Sequence, residues 1–474
     1  MNNKPLIFTG SVAHAQLDCD CACPQTPFQI IPESKKNSYF IINDEIYQAE
    51  LNNEFHFIFS AHTPASPSII NKSAWQQYQQ FKSPRLLENN IDEQLAQQQL
   101  IIPIDTKPTF NSENPTQLTA WIHITNACNL DCPYCYVNKS SEQMPEEIGK
   151  KSIDHLFNIA IKQKFNTIKI KYAGGEALLN FKLIKILHDY THQLALKNNI
   201  EIDEIILSNG TVITDEVALW LKNTGVRLML SIDGIGKIHD QQRPTKKGQG
   251  SFEKIENNLL NKLIPYGIKP DICITVTQKN AKGIKDIVKW VLQHDLPFSI
   301  NFYRENKLSS SHVDLVLEEK AIIEGIESAY RTIEDNLPDR PLLNGLLDKV
   351  QTQAHTHTCG VGQNYLVINH HGKISQCQMH LDKTSTTQST SSIGNYIPIT
   401  PAKDKIHNIS VEEKEGCKTC VYRYRCTGGC PLETHRATGR WDVKSPHCNI
   451  YQTLYPQALR LEGLRLLKIN GFSH

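Results

Sequence analysis

From residue 116 to residue 305, short apolar runs alternate with longer stretches in which apolar residues recur at helical spacing. The runs Ala120–Thr125, Thr167–Ala173, Glu204–Leu207, Val226–Ile232, Asp271–Thr277 and Phe298–Tyr303 are predicted strands. Helical stretches lie between them, including Phe181–Leu196, Asp215–Asn223, Phe252–Lys262 and Ile284–Gln293. Repeated strand–helix units predict a parallel sheet wrapped by helices, either open or curved into a partial (β/α)6 barrel. Strands covered by helices should read as continuous apolar runs. Several of these alternate instead: Lys169 and Lys171 interleave with Ile168 and Ile170, His123 and Thr125 with Ile122 and Ile124, and Thr275 and Thr277 with Ile274 and Val276. A polar face inside a helix-wrapped sheet predicts a wet or substrate-filled lumen, and hence a barrel. The bland alternative is a set of solvated strand ends. Lumen residues such as His123, Lys171 and Tyr303 are candidates for substrate contact or proton transfer.

The flanks differ from this core. Residues 1–115 open with Cys19, Cys21 and Cys23, then show β-like runs at Tyr39–Leu51 and Phe55–Ser60 and helical patterns at Ser73–Phe81 and Ile91–Leu100. Strands followed by short helices predict a small winged-helix-like module. The core extends over 116–310, a helical connector over 311–358 with periodicity at Glu318–Ile333, and a cysteine-rich region over 359–474. The low-complexity stretch Lys383–Ser392 is a predicted mobile loop. An amphipathic helix near Tyr451–Leu467 ends the chain. The fold class is therefore α/β with two added modules.

Composition narrows the choices. A chain of 474 residues exceeds one core. A net charge of +1 gives no field drawing the whole protein to nucleic acid or an anionic membrane. No apolar run approaches the roughly 18 residues of a membrane span. The first residues carry too short an apolar run for a signal peptide. The fourteen cysteines change the picture most, because they fall in groups with short spacings. Such groups in a reducing compartment read as metal or cluster ligands. Cys273, alone in a strand, reads as a small buried apolar residue.

The first central group is Cys128-x3-Cys132-x2-Cys135, directly after the first core strand. Three thiolates in one tight loop can hold a four-iron cubane and leave one iron open. A zinc loop is the alternative, but zinc sites usually show a second CxxC pair or histidines, and neither is here. The loop, with Tyr134 before its third cysteine, resembles the motif of the radical S-adenosylmethionine (SAM) superfamily. That resemblance implies a [4Fe-4S] cluster on Cys128, Cys132 and Cys135. Its open iron binds S-adenosyl-L-methionine, which is cleaved to a 5′-deoxyadenosyl radical. Gly174-Gly175-Glu176 resembles the family's GGEP element, with Ala177 in place of proline. Ser208-Asn209 and Ser231-Ile232-Asp233 end later strands and resemble segments that contact the cofactor. The implied cofactor contacts are Tyr134, Gly174, Gly175, Glu176, Ser208, Asn209 and Ser231. Turn chemistry is an equal reading for Gly210, Asp233 and Gly234.

The second group is Cys359, Cys377, Cys417, Cys420, Cys426, Cys430 and Cys448. It resembles the seven-cysteine pattern of the SPASM domain, which implies two auxiliary [4Fe-4S] clusters. The resemblance assigns Cys417, Cys420, Cys426 and Cys448 to one, and Cys359, Cys377 and Cys430 to the other. Seven cysteines fall one short of eight, so the second set is expected to be incomplete, its fourth ligand a substrate group or a cysteine such as Cys19, Cys21 or Cys23. His355 and His357 lie nearby and are expected to be solvated. A double zinc ribbon is the alternative. Enzymes of this type mostly modify peptides or proteins. The N-terminal region loosely resembles the recognition element that binds leader peptides of ribosomally made peptides (RiPPs). The expected function is a RiPP maturase, a cytoplasmic oxidoreductase acting on a precursor peptide by hydrogen abstraction to form a side-chain cross-link, a thioether or carbon–carbon bond. Flavodoxin or ferredoxin would serve as electron donor. The alternatives are an anaerobic sulfatase-maturating enzyme and a non-catalytic iron–sulfur or zinc peptide-binding scaffold.

Overall fold

A computed structural model describes residues 4–10, 28–29, 38–63, 67–105, 111–112, 115–382 and 405–472. Cys19, Cys21 and Cys23 and the Lys383–Ser392 stretch lie outside the described residues. The chain begins with β1 (Ile7–Thr9), β2 (Phe28–Gln29), β3 (Phe40–Ile42), β4 (Ile46–Glu50), β5 (Phe55–Ser60) and β6 (Ser68–Asn71). Helices α1 (Lys72–Gln79) and α2 (Asn90–Gln97) follow, then β7 (Ile101–Pro103) and β8 (Asn111–Ser112). Strands β1, β6, β5 and β4 form an antiparallel sheet in that order. Asn71 caps α1 by accepting from Ala74 N, and Asn89 caps α2 through Ile91 N and Asp92 N. The period-two rule splits β5: Ile58 packs with Tyr78, Phe81 and Leu95 of the module's own core, whereas Phe55, Phe57 and Phe59 join the main core. The module therefore buries one sheet face by itself and the other against the rest of the protein.

The central unit is β9 (Gln117–Thr125), α3 (Glu146–Gln163), β10 (Thr167–Gly174), α4 (Phe181–Asn198), β11 (Glu201–Ser208), α5 (Asp215–Thr224) and β12 (Arg227–Ser231). It continues through α6 (Lys237–Gln242), α7 (Phe252–Asn258), β13 (Asp271–Val276), α8 (Ile284–Gln293) and β14 (Phe298–Phe302). All six predicted strands are present, parallel and paired in sequence order. The sheet runs β14-β13-β12-β11-β10-β9-β15-β16, so it does not end at β9. After α9 (Glu319–Asp335) and α10 (Leu343–Leu346), strand β15 (Tyr365–Ile368) pairs parallel to β9, and β16 (Ile374–Ser375) folds back on it. The cysteine-rich region is thereby stitched into the core sheet, which the sequence pattern did not announce. It finishes with α11 (Arg423–Cys426), α12 (Pro431–Thr438) and α13 (Cys448–Ile469).

Helix α13 packs on α9 through apolar residues and through Arg460, which clasps Glu334 at 2.6 Å. Its far end reaches the N-terminal sheet, where a Cβ on Gly463 would stand 3.0 Å from Ile69 Cδ1. The outward side chains of the central strands, such as Ile122, Ile170, Ile206, Leu228 and Ile274, meet the helices in one large core. Each such fully buried side chain contributes roughly 1.5–3 kcal/mol. The inward face needs a correction to the wet-lumen expectation. At the amino ends of the strands the polar residues satisfy one another in a ladder. Lys169 Nζ lies 3.2 Å from Asp203, Arg227 clasps Asp203 at 2.9 Å, and Arg227 reaches Asp271 at 3.5 Å. Above the ladder sits an apolar layer of Ile205, Met229 and Cys273, the last as buried as expected. Lys171 is buried too and does not line the principal cavity. Among the described residues, the large cavity opens above these layers, at the carboxyl ends of the strands.

Candidate functional site

The loop carrying Cys128, Cys132 and Cys135 starts where β9 ends, and three attachments hold it. Asp131 N donates to Pro244 O at 2.7 Å and Lys246 N to Asn129 O at 3.3 Å, so the segment after α6 lines one side. On the second side, Gly175 N donates to Thr125 O and Glu176 N to Ala127 O, both at 2.8 Å. A Cβ on Gly175 would lie 2.4 Å from Ala127 O, a collision with backbone that cannot yield; only glycine fits. The third attachment is buried. Tyr134 OH donates to Asp233 Oδ2, Arg243 Nε donates to the same oxygen at 2.7 Å, and Thr275 N donates to Oδ1 at 2.9 Å. The Arg243 guanidinium also sits 5.3 Å from the Tyr134 ring centre. Through its hydroxyl, Tyr134 anchors the loop. Asp233 is a structural carboxylate, not merely a turn former. Sequence reasoning missed Arg243, because no local pattern marks a cation whose partner lies ten residues back.

The three thiols are close enough to perturb one another. Desolvation pushes Cys132 up to about 12, with Cys135 and Cys128 adding to the rise and Arg243 opposing it. Desolvation likewise raises Cys128, and Glu176 and Cys135 reinforce the shift. Thiols in such a setting lose their protons to solvent when they coordinate a cation. The donor set therefore suits a metal centre, and the glycine cradle beside it leaves bare backbone where a cofactor could approach.

Glu176 is buried and its carboxylate is largely engaged. Oε1 accepts from Ser208 Oγ at 2.8 Å and from Leu178 N at 3.1 Å, while Oε2 accepts from Asn209 N at 2.6 Å. Burial raises its pKa and these three donors hold it down. One lone pair remains on Oε2 for an incoming ammonium. Asn209 donates through Nδ2 to Asn129 Oδ1 at 2.9 Å and lies 4.0 Å from Cys128 Sγ. Gly174, Gly175, Glu176, Ser208 and Asn209 thus converge beside Cys128. Ser231, at the end of β12, is paired in register with Cys273 and stands further round the sheet.

The C-terminal cysteines fall into two groups. Desolvation pushes Cys377 up to about 12, and Cys430 and Cys359 add to it. Cys426 rises to about 12 by desolvation, with contributions from Cys420, Cys417 and Cys448. Those four thiols share the wall of one small enclosed cavity. Thr427, Gly428 and Gly429 adopt φ of +48°, +78° and +72° in succession, which turns the chain so that Cys426 and Cys430 serve different groups. A Cβ on Gly428 would sit 3.2 Å from Cys417 Sγ. Between the groups lies the buried Lys414, whose Nζ donates to Thr427 O at 2.8 Å. His355 corrects an expectation: it is buried rather than solvated, and desolvation lowers it to about 4.

A cavity of about 1040 Å³ separates the two cysteine regions. Asn126, Tyr136 and Val137 of the first loop line it, as do His380, Glu433 and His447 of the C-terminal region. His123 and Tyr303, expected in the lumen, line it. His123 is neutral at pH 7, since burial lowers it to about 4. Among the described residues no helix is long and apolar enough to cross a membrane.

Comparison with known proteins agrees with this geometry. The model of the radical SAM superfamily matches residues 122–291. An uncharacterized protein of Methanocaldococcus jannaschii is 33% identical over 46% of this chain and 74% of its own length. The sporulation killing factor maturation protein SkfB of Bacillus subtilis is 28% identical over 40% of this chain and 42% of its own. A cysteine-type anaerobic sulfatase-maturating enzyme of Clostridium perfringens is 22% identical over 65% of this chain and 86% of its own. The structure of anSMEcpe with bound AdoMet superposes with a TM-score of 0.57 at 20% identity, covering 74% of this chain and 98% of that one.

Proposed function

As this chain belongs to the radical SAM superfamily, we propose that it is a maturase that modifies a ribosomally made precursor peptide. The observation that carries this reading is the cavity between the two cysteine regions, which is large enough for a peptide segment. Cys128, Cys132 and Cys135 would hold the [4Fe-4S] cluster that binds S-adenosylmethionine. When bound, that pair supplies a 5′-deoxyadenosyl radical able to abstract hydrogen from an unactivated carbon. The chain's own residues do the rest. Gly174 and Gly175 would leave bare backbone for the cofactor's methionine end, and the Glu176 carboxylate would be available to its ammonium. Tyr134, Asp233 and Arg243 keep the loop rigid and dry. The cavity walls position the substrate carbon and exclude water. Cys417, Cys420, Cys426 and Cys448, and separately Cys359, Cys377 and Cys430, would hold auxiliary clusters that take up an electron or anchor the substrate. Residues 1–115 would serve as the leader-binding element, by addition of a strand to the N-terminal sheet. Flavodoxin or ferredoxin would deliver electrons in a reducing cytoplasm.

A second reading is sulfatase maturation, favoured by the resemblance that spans most of the Clostridium perfringens enzyme. One assay series separates the readings. Anaerobically reconstituted protein is incubated with dithionite and S-adenosylmethionine, and 5′-deoxyadenosine is measured with and without candidate peptides. A peptide-dependent rise with loss of two hydrogens from a precursor peptide supports the first reading. Formylglycine on a sulfatase peptide supports the second. No deoxyadenosine under any condition, at full iron content, leaves a binding scaffold.

A further inference from the structure

We propose that Glu142, His370 and His371 form a binding site for a first-row divalent transition cation, of which Zn2+ is the probe, on the wall of the large cavity. His370 Nε2 stands 3.5 Å from Glu142 Oε2, and His371 Nε2 stands 3.6 Å from Glu142 Oε1. All three donor groups lie within 4.8 Å of one another. These separations are long for hydrogen bonds. They run to the two different carboxylate oxygens and lie near the roughly 3.4 Å between donors that share a tetrahedral ion with bonds of about 2.0–2.1 Å.

The second observation is an orphan. His370 is 7% exposed and both its ring nitrogens are buried: Nδ1 has no hydrogen-bond partner among the described residues, and Nε2 has only the long 3.5 Å contact to Glu142. Leaving buried polar atoms unpaired is costly, and a cation would satisfy one of them. His123 Nδ1 is likewise buried and unpartnered, with its ring 6.0 Å from that of His370.

The scaffold is rigid. Strand β15 pairs with β9, and the tight turn after it is fixed by Asn369, whose Oδ1 accepts from His371 N and Lys373 N at 3.0 Å each. Glu142 lies on the segment after the first cysteine loop, and its carbonyl accepts from Asn126 N at 2.9 Å and Thr125 Oγ1 at 3.0 Å. Ser140 Oγ donates to Glu142 Oε2 at 2.8 Å and orients the carboxylate, as outer partners of metal ligands do.

A second group, His188, His192 and Glu204, has the same composition but not the same geometry. Its nitrogens stand 2.6 and 3.0 Å from one carboxylate oxygen, and Tyr172 OH donates to the other at 2.6 Å. That is a closed hydrogen-bond network with nothing left to bind. In the Glu142 group three ligands leave a coordination position open towards the cavity. There it takes an anionic or imidazole side chain of the substrate. This role rests on the maturase reading; cation binding does not.

The test uses the full-length protein with its iron sites fully reconstituted under anaerobic conditions, so that cysteines do not compete. Zn2+ is titrated by calorimetry, and the bound metal is examined by zinc K-edge X-ray absorption. The expected result is one additional zinc per chain with a nitrogen and oxygen shell and imidazole outer scattering. His370→Ala and Glu142→Gln should each weaken it by roughly tenfold or more. His371→Ala, whose side chain is 54% exposed, gives the same readout should His370→Ala misfold. His188→Ala should leave binding unchanged. A sulfur shell, binding indifferent to all three ligand variants, or loss on His188→Ala instead would overturn the proposal. Deoxyadenosine formation in the same preparation reports separately on the maturase reading.

Discussion

The two ends of the central barrel carry the same kind of sequence and do opposite things with it. At the amino ends, Lys169, Asp203, Arg227 and Asp271 face inward and neutralise one another across four adjacent strands. At the carboxyl ends, Glu176, Ser208, Asn209 and Asp233 also face inward, yet each is aimed at the cysteine loop or at the residues that hold it. Below, polar groups close on themselves and seal the barrel. Above, they leave one lone pair, a glycine cradle and a cavity. An inward polar residue in a parallel barrel is thus functional by its height along the strand, in keeping with ligand binding at the carboxyl ends.

Substitutions at the two heights should separate chemistry from stability. The largest effect belongs to the top. Cys132→Ala should abolish 5′-deoxyadenosine formation while the thermal transition of the metal-free protein stays within a few degrees; retained cleavage would place the cluster elsewhere. Gly175→Ala comes next, because its methyl must displace the Ala127 carbonyl. Cleavage should fall by about 100-fold, the scale of a misplacement near 1 Å, with iron content unchanged at the C-terminal cysteines. Arg243→Met mixes both outcomes. It strands the buried Asp233 without its cation and should cost about 3–5 kcal/mol in denaturant unfolding, along with loss of the first cluster. At the bottom, Asp203→Ala should cost about 2–3 kcal/mol, since Lys169 and Arg227 lose their shared partner in a half-buried setting. Deoxyadenosine formed per folded molecule should be unchanged. A fall in that ratio would erase the distinction between the two ends.

Much of this arrangement was legible in the sequence, and the gaps have physical causes. Strand and helix positions in the core follow from periodicity, because each strand packs against its sequence neighbour. The cysteine loop and Gly174-Gly175-Glu176 were legible because their chemistry is local. From sequence, Lys169 and Lys171 suggest a wet lumen, since an alternating pattern cannot say whether the next strands supply Asp203 and Arg227 to meet them. The joining of β15 to β9 was invisible for a similar reason. It pairs residues more than 240 apart, such as Leu366 with Ala120. Arg243 and His370 fall in the same class: each has a role only through a partner brought by the fold.

Glu204 tests the rule from the middle of a strand and from the outer face, where the height argument assigns no chemistry. Its carboxylate accepts from Tyr172, His188 and His192. Although burial opposes ionisation, the two histidines and the tyrosine hold its pKa at about 2 against an ordinary 4.5. A carboxylate with a depressed folded-state pKa contributes stability that is complete above its unfolded value and is lost as pH falls through the folded one. The contribution should therefore stand at neutral pH and disappear between about pH 4.5 and pH 2. Glu204→Gln removes the charge but keeps the shape. It should cost about 1–2 kcal/mol at pH 7, less than the full shift implies because His192 is half exposed to solvent. The difference from the parent protein should shrink steadily below pH 4.5 in urea titrations, with deoxyadenosine formation untouched. A constant difference across that window would mean that packing, not charge, holds the cluster. A loss of activity would mean that the outer face of β11 reaches the site after all, through Ser208 at the end of the same strand.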